Sequence, residues 1–273
     1  QTGRAPDENY ARELLQLFTS GGEELRLDGR PKGRETYTSA DVEGLASVFT
    51  GFALPARRFK GGRLRDDNAD SILVGYPEYH EPGPKTFLGT TIPGGLRPEE
   101  SVQRALDHIL AHPNVAPFIS KQLIQKFVTS NPSRQYIRRV AVAFNEGRYV
   151  MPSGKEVGEG RRCDMRAAVA ATLLDQEARQ PPSSRDKAYG KVRDPILRIA
   201  HTMRALKDAA DQPAFQGKLI AFGPLQQPGA FHGQLAFVPP SVFSFYRPGF
   251  VAAGTQSAQH DLVAPEMQLY TSD

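Results

Sequence analysis

The chain has no tryptophan and a single cysteine among its 273 residues. With Cys163 alone no disulfide can close within the chain, so the fold must rest on packing and hydrogen bonds. Long apolar runs are also missing, and no stretch approaches the roughly 18 apolar residues that a membrane span needs. Neither charge dominates. Lys and Arg number 34 against 30 Asp and Glu, and a net charge of +4 makes no nucleic-acid surface unless the cations cluster. The sequence lacks a G-x-S-x-G elbow, an H-E-x-x-H pair, a phosphate-cradling glycine loop and a dinucleotide fingerprint.

What is present suffices for a core. Apolar residues make up 39% and charged residues 23%, the balance of a globular protein. The 22 prolines point to short helices with long connections. Asp7, behind Pro6, caps a predicted helix over Asn9–Phe18, with Ala11, Leu14, Leu15 and Phe18 at helical spacing. Thr38 to Asp41 has capping-box spacing and opens a second helix with Val42, Leu45, Ala46 and Phe49 inside. Residues 53–97 have little periodicity and read as a long surface excursion, with one short strand over Ile72–Tyr76. Further helices are expected from Pro98 to His112, over Phe118–Val128, and after Ser133 up to Gly147. A small hairpin over 148–155 and helices over Asp164–Asp175 and Asp194–Lys207 follow. Between Pro213 and Phe250 lie six prolines and seven phenylalanines without helical period, which reads as a wrap around the body. The expected fold is a single all-α domain over 1–273, an irregular bundle of six or seven amphipathic helices.

Several polar groupings are candidates for chemistry. Asn9, Arg12 and Glu13 share a face of the first helix, so Asn9 and Arg12 are candidate ligand-binding residues and Glu13 a candidate catalytic carboxylate. The plainer alternative has them satisfying loop backbone. His80 and Lys85 lie in a Pro/Gly-rich run where a histidine near a cation suits acid–base work or anion binding; the same run also suits a rigid turn. His108 and His112 stand four apart, a spacing that can chelate a metal, although His112 equally suits a helix end. Asp66, Asn68 and Asp70 imitate the start of a calcium loop, but Ser71 and Pro77 replace its glycine and glutamate. The basic run Arg57–Arg65 is offset by the acidic residues that follow it. Cys163 lies among Arg161, Arg162 and Arg166, a setting expected to lower a thiol pKa.

Motifs along nearly the whole chain resemble one family. They are Asp7 to Leu14 with Leu17-Phe18-Thr19, Tyr37 to Val42 with Phe49-Thr50-Gly51-Phe52, His80 to Gly89, and His112 to Ile119. At the carboxy end Pro239 to Phe243, Tyr246-Arg247-Pro248 and Leu262 to Glu266 complete the set. Their order and content resemble the bacterial domain of unknown function 1800. Phe52 departs from the tryptophan frequent there. The resemblance implies a mostly helical exported protein (periplasmic, cell-surface or extracellular) of which this chain is a section. It further implies a protein partner, such as an exported phosphatase-like protein, and supplies no catalytic residue or cofactor. Two functions follow as expectations. One is a non-catalytic, partner-binding component of a cell-envelope or extracellular assembly, with no nucleic acid bound. The other is a hydrolase-like enzyme with a polar site around Glu13, His80 and Lys85.

Overall fold

A computed structural model describes residues 5–55, 72–179, 188–205, 234 and 239–270. The chain divides into two compact units, Gln1–Ile119 and Ser120–Asp273, each taken here by itself.

In the first unit helix α1, Glu8–Glu13, starts at Asp7, whose carboxylate accepts the Asn9 N–H at 2.9 Å. The predicted helix does not run on as α. Leu14–Phe18 widens into a π-helical turn, and at its end the Leu14 and Leu15 carbonyls accept from Thr19 Oγ1 (2.7 Å) and the Gly21 N–H (2.8 Å). Strands β1 (Glu23–Leu25) and β2 (Pro31–Glu35) form a hairpin, followed by α2 (Ser39–Val48). The capping box at the start of α2 is present: Asp41 Oδ2 accepts the Thr38 N–H at 2.7 Å. Next come β3 (Phe52–Ala53), β4 (Val74–Gly75), a 3-10 turn over Pro77–Tyr79, and the hairpin β5 (Lys85–Phe87) and β6 (Thr90–Ile92). Helix α3, Pro98–Ala111, closes the unit over a core of Ala11, Leu15, Val42, Leu45, Phe87 and Ile109.

The second unit takes most of α4 (Val115–Phe127) and all of α5 (Arg134–Glu146), which Ser133 caps and Gly147 ends at φ 62°. Hairpin β7 (Tyr149–Val150) and β8 (Glu156–Val157) follows, then α6 (Met165–Leu174), α7 (Gln176–Arg179) and α8 (Pro195–Ala205). A short helix α9 (Gln256–Gln259) and a 3-10 segment Pro265–Tyr270 complete the described chain. Ile124, Tyr136, Ile137, Val140 and Ala171 form the core here.

The all-α expectation is overturned. Four two-stranded antiparallel sheets among the described residues make this a mixed α/β protein. Of these, β1–β2 and β5–β6 lie where no strand was expected, whereas β4 falls within the strand expected over Ile72–Tyr76 and β7–β8 at the expected hairpin. The reason lies in side-chain patterning. β2 is exposed at every position and is tied to β1 by the cross-strand pairs Lys32–Glu24 (3.1 Å) and Arg34–Glu24 (2.7 Å). β5 buries Lys85 and Phe87 around an exposed Thr86, so its inward set includes a cation and does not read as apolar alternation. Segment 53–97 is therefore partly built into the core. Leu88 (φ 45°) and Gly89 (φ 71°) form the two-residue turn of β5–β6. Gly44 lets α2 lie directly on β5, since a Cβ there would stand 1.8 Å from the Thr86 carbonyl oxygen. Most of the Pro/Phe-rich stretch, the basic run Arg57–Arg65 and the Asp66–Asp70 loop fall outside the described residues.

Candidate functional site

The candidates from the sequence occupy two places in the first unit. On α1, Asn9 is exposed and Arg12 pairs with Glu8 at 3.0 Å, one turn away. Glu13 is half-buried, and its Oε2 is enclosed without a hydrogen-bond partner. Arg12 and Glu13 both act on Tyr37, whose hydroxyl is held above its usual pKa by burial first and by the Glu13 charge against that of Arg12.

His80 and Lys85 belong to the segment that follows β4. His80 is buried and both ring nitrogens are engaged. Nδ1 lies 2.9 Å from the Thr50 carbonyl oxygen, which can only accept, so Nδ1 carries the proton. Nε2 then accepts from the buried Ser101 hydroxyl at 2.9 Å. Thr50 Oγ1 also accepts the Glu81 N–H at 2.8 Å, and Gly51 is required because a Cβ would stand 2.9 Å from the His80 nitrogen. Lys85 is 1% exposed and donates to the carbonyls of Glu81 (2.7 Å) and Gly83 (3.1 Å). Burial pushes its ammonium below the usual lysine range, and Glu81 opposes the shift. Among the described residues no hydrogen bond or ion pair joins Glu13 to His80 or Lys85.

Other expected groupings resolve individually. His108 Nε2 donates to the Leu88 carbonyl at 2.9 Å, and His112 Nδ1 accepts the Asn114 N–H at 3.2 Å. The thiol of Cys163 is pushed up by burial, which outweighs Arg162, so the expected lowering does not occur.

A second polar cluster, in the other unit, was not assembled from the sequence. Glu266 is 1% exposed and pairs with Lys191, while its Oε2 has no hydrogen-bond partner among the described residues. Tyr246 hydrogen-bonds Asp194 at 3.2 Å and carries Lys126 over its ring, 4.2 Å from the centroid. Burial, then the Asp194 charge, drives the Tyr246 hydroxyl far up; desolvation and Lys191 push the Lys126 amine down. A cavity of about 10 Å³, close to one water in size, lies between Gln122, Lys126, Tyr246 and Glu266. Such an array holds two amines and two carboxylates in alternation. Tyr246 and Glu266 both stand in the motifs of the resemblance, which was the signal available in the sequence; Lys126 and Lys191 had none.

These observations define a class: a mixed α/β protein of short helices and hairpins, with a buried polar cluster in each unit. The chain belongs to the family described as protein of unknown function (DUF1800), which it matches over residues 1–272. No curated protein and no solved structure matches it. No helix among the described residues is long and apolar enough to cross a membrane.

Proposed function

We propose that this protein is a partner-binding, non-catalytic component of an exported assembly in the cell envelope or outside the cell. The observation that carries the reading is a set of large exposed apolar residues flanking the β3–β4 pair. There Ala53 pairs with Val74, which places Leu54 beside Leu73, and Ile72 (85% exposed), Leu73 (57%) and Tyr79 (71%) present large apolar surface to solvent. Single exposed apolar residues need no explanation, but several large ones on neighbouring segments suit a protein contact. His80 and Lys85 support the same reading, because their polar atoms brace the loop that carries Tyr79. An exported phosphatase-like protein is the proposed companion, as the family resemblance implies.

The test is the native mass of the protein from its source, measured for the natural sequence and for a Leu73→Glu, Tyr79→Glu double variant. A companion that elutes with the natural protein and is lost from the variant supports the reading. A natural protein that elutes at the mass of its own single chain sinks it. Glu13 favours a second reading, a hydrolase-like enzyme, through its enclosed and unpartnered Oε2. Ester or phosphoester hydrolysis that disappears in Glu13→Gln would establish that alternative; activity unchanged in the variant would remove it.

A further inference from the structure

The second unit carries a cleft of about 530 Å³ that no family motif touches, between one face of α5 and strand β7. Its long wall comes from Gln135, Arg138, Val142 and Glu146, which recur every three or four residues and so share a stripe of the helix. Ala143, Tyr149 and Val150 line the apolar part, and Val150 is 58% exposed.

The cations in this cleft are not equivalent. Arg139 binds Asp175 through two nitrogens, at 2.7 and 2.8 Å, with Glu177 at 3.6 Å, so its charge is already met. Arg148 is paired with Glu156 at 3.0 Å. Arg138 is exposed and makes no ion pair among the described residues. Glu146 stands eight residues further on, about 12 Å along the helix axis, and repels an anion from that end. An incoming molecule therefore meets one available guanidinium, then an apolar strip, then a carboxylate. A guanidinium fork matches the oxygens of carboxylates and oxyanions such as phosphate, and the Glu146 charge with a single available cation favours a monoanion over a dianion.

We propose that this cleft binds a small amphipathic monoanion, a carboxylate or sulfonate on an apolar body, with the anionic group on Arg138 and the body against Val142, Tyr149 and Val150. The volume falls within the range of small-ligand sites, roughly 300 to 1,000 Å³. This inference is independent of the partner-binding surface, which lies in the other unit.

The absence of tryptophan supplies a clean reporter. In a Val150→Trp variant the introduced indole can be excited selectively, and 8-anilinonaphthalene-1-sulfonate serves as both probe and energy acceptor. Expected is saturable binding with energy transfer from position 150, weakened about tenfold when Arg138→Gln is added, as for loss of a charge-assisted hydrogen bond. The neutral analogue N-phenyl-1-naphthylamine should bind at least as weakly as the sulfonate does in that double variant. Equal binding of the neutral and anionic probes would overturn the anion assignment. Sulfonate binding unchanged by Arg138→Gln, or without energy transfer, would place the probe elsewhere and overturn the site. Displacement by poly-glutamate at concentrations below those needed of a small aryl carboxylate would overturn the small-molecule class in favour of an acidic macromolecule.

Discussion

The two buried polar clusters of this protein solve the cost of enclosed charge in opposite ways. Around His80 and Lys85 every partner that the structure records is a main-chain group or a neutral hydroxyl: the carbonyls of Thr50, Glu81 and Gly83, and the hydroxyls of Thr50 and Ser101. Around Glu266 the partners are charged or ionisable side chains, Lys191 against Glu266 and Tyr246 against Asp194. The first arrangement spends titratable groups to fix a loop, and each of their side-chain nitrogens has a partner. Among the described residues, the second leaves one carboxylate oxygen of Glu266 without a hydrogen-bond partner, in a cluster whose Lys126 amine is pushed down by burial. A residue's type alone does not separate these cases; its partners do.

The comparison can be broken most sharply at Lys191. Lys191→Met strands a buried Glu266 carboxylate and should lower stability by about 4 kcal/mol, whereas Glu266→Gln should cost clearly less. Chemical denaturation of both variants reads the difference as midpoints at unchanged slope. On the main-chain side, Lys85→Met leaves two carbonyls without their donor, an expected loss of about 3 kcal/mol by the same measurement.

Asp41 offers a smaller effect with a defined pH signature. Burial raises its pKa, but the Thr38 and Leu88 hydrogen bonds outweigh that and hold it below the ordinary aspartate value. A depressed carboxylate stabilises the fold above its unfolded-state pKa of about 4, and that contribution disappears as the pH falls through the lower folded value. Asp41→Asn should therefore cost about 1 kcal/mol at neutral pH and flatten the decline of stability below pH 4 in an acid titration followed by circular dichroism. The smallest change is expected for Arg12→Ala, which removes an exposed pair with Glu8 worth about 0.3 kcal/mol. A larger loss there would mean that Arg12 holds more than Glu8.

The helical parts of the fold were legible because their signals are local. Asp7, Thr38, Ser133 and Asp164 all accept backbone N–H groups at helix starts, and Gly147 ends α5 in the left-handed conformation. The hairpin after α5, expected over 148–155 and found as β7–β8, was legible, as was the short strand that contains β4. The β1–β2 and β5–β6 hairpins were not: their strands are three to five residues long, and the inward position of β5 that breaks the alternation is a lysine whose burial depends on the Glu81 and Gly83 carbonyls. The candidate residues were partly legible: His80 and Lys85 stood out, but that their atoms are committed to the loop is a matter of tertiary contact. Lys126 and Lys191 meet Tyr246 and Glu266 over sequence separations of 75 residues or more, which no periodicity reports.

One detail of the β5–β6 turn bears on the order in which the first unit assembles. Leu88, a non-glycine residue at φ 45°, has its N–H bound by Asp41 of α2 at 2.6 Å and its carbonyl by His108 of α3 at 2.9 Å. A non-glycine residue at positive φ has a conformational cost that the contacts with both helices must offset, so the turn is expected to set late, after the folding transition state. Substituting Asp41 or His108 should accordingly speed unfolding far more than it slows folding, making this turn a clasp that governs how long the assembled unit lasts.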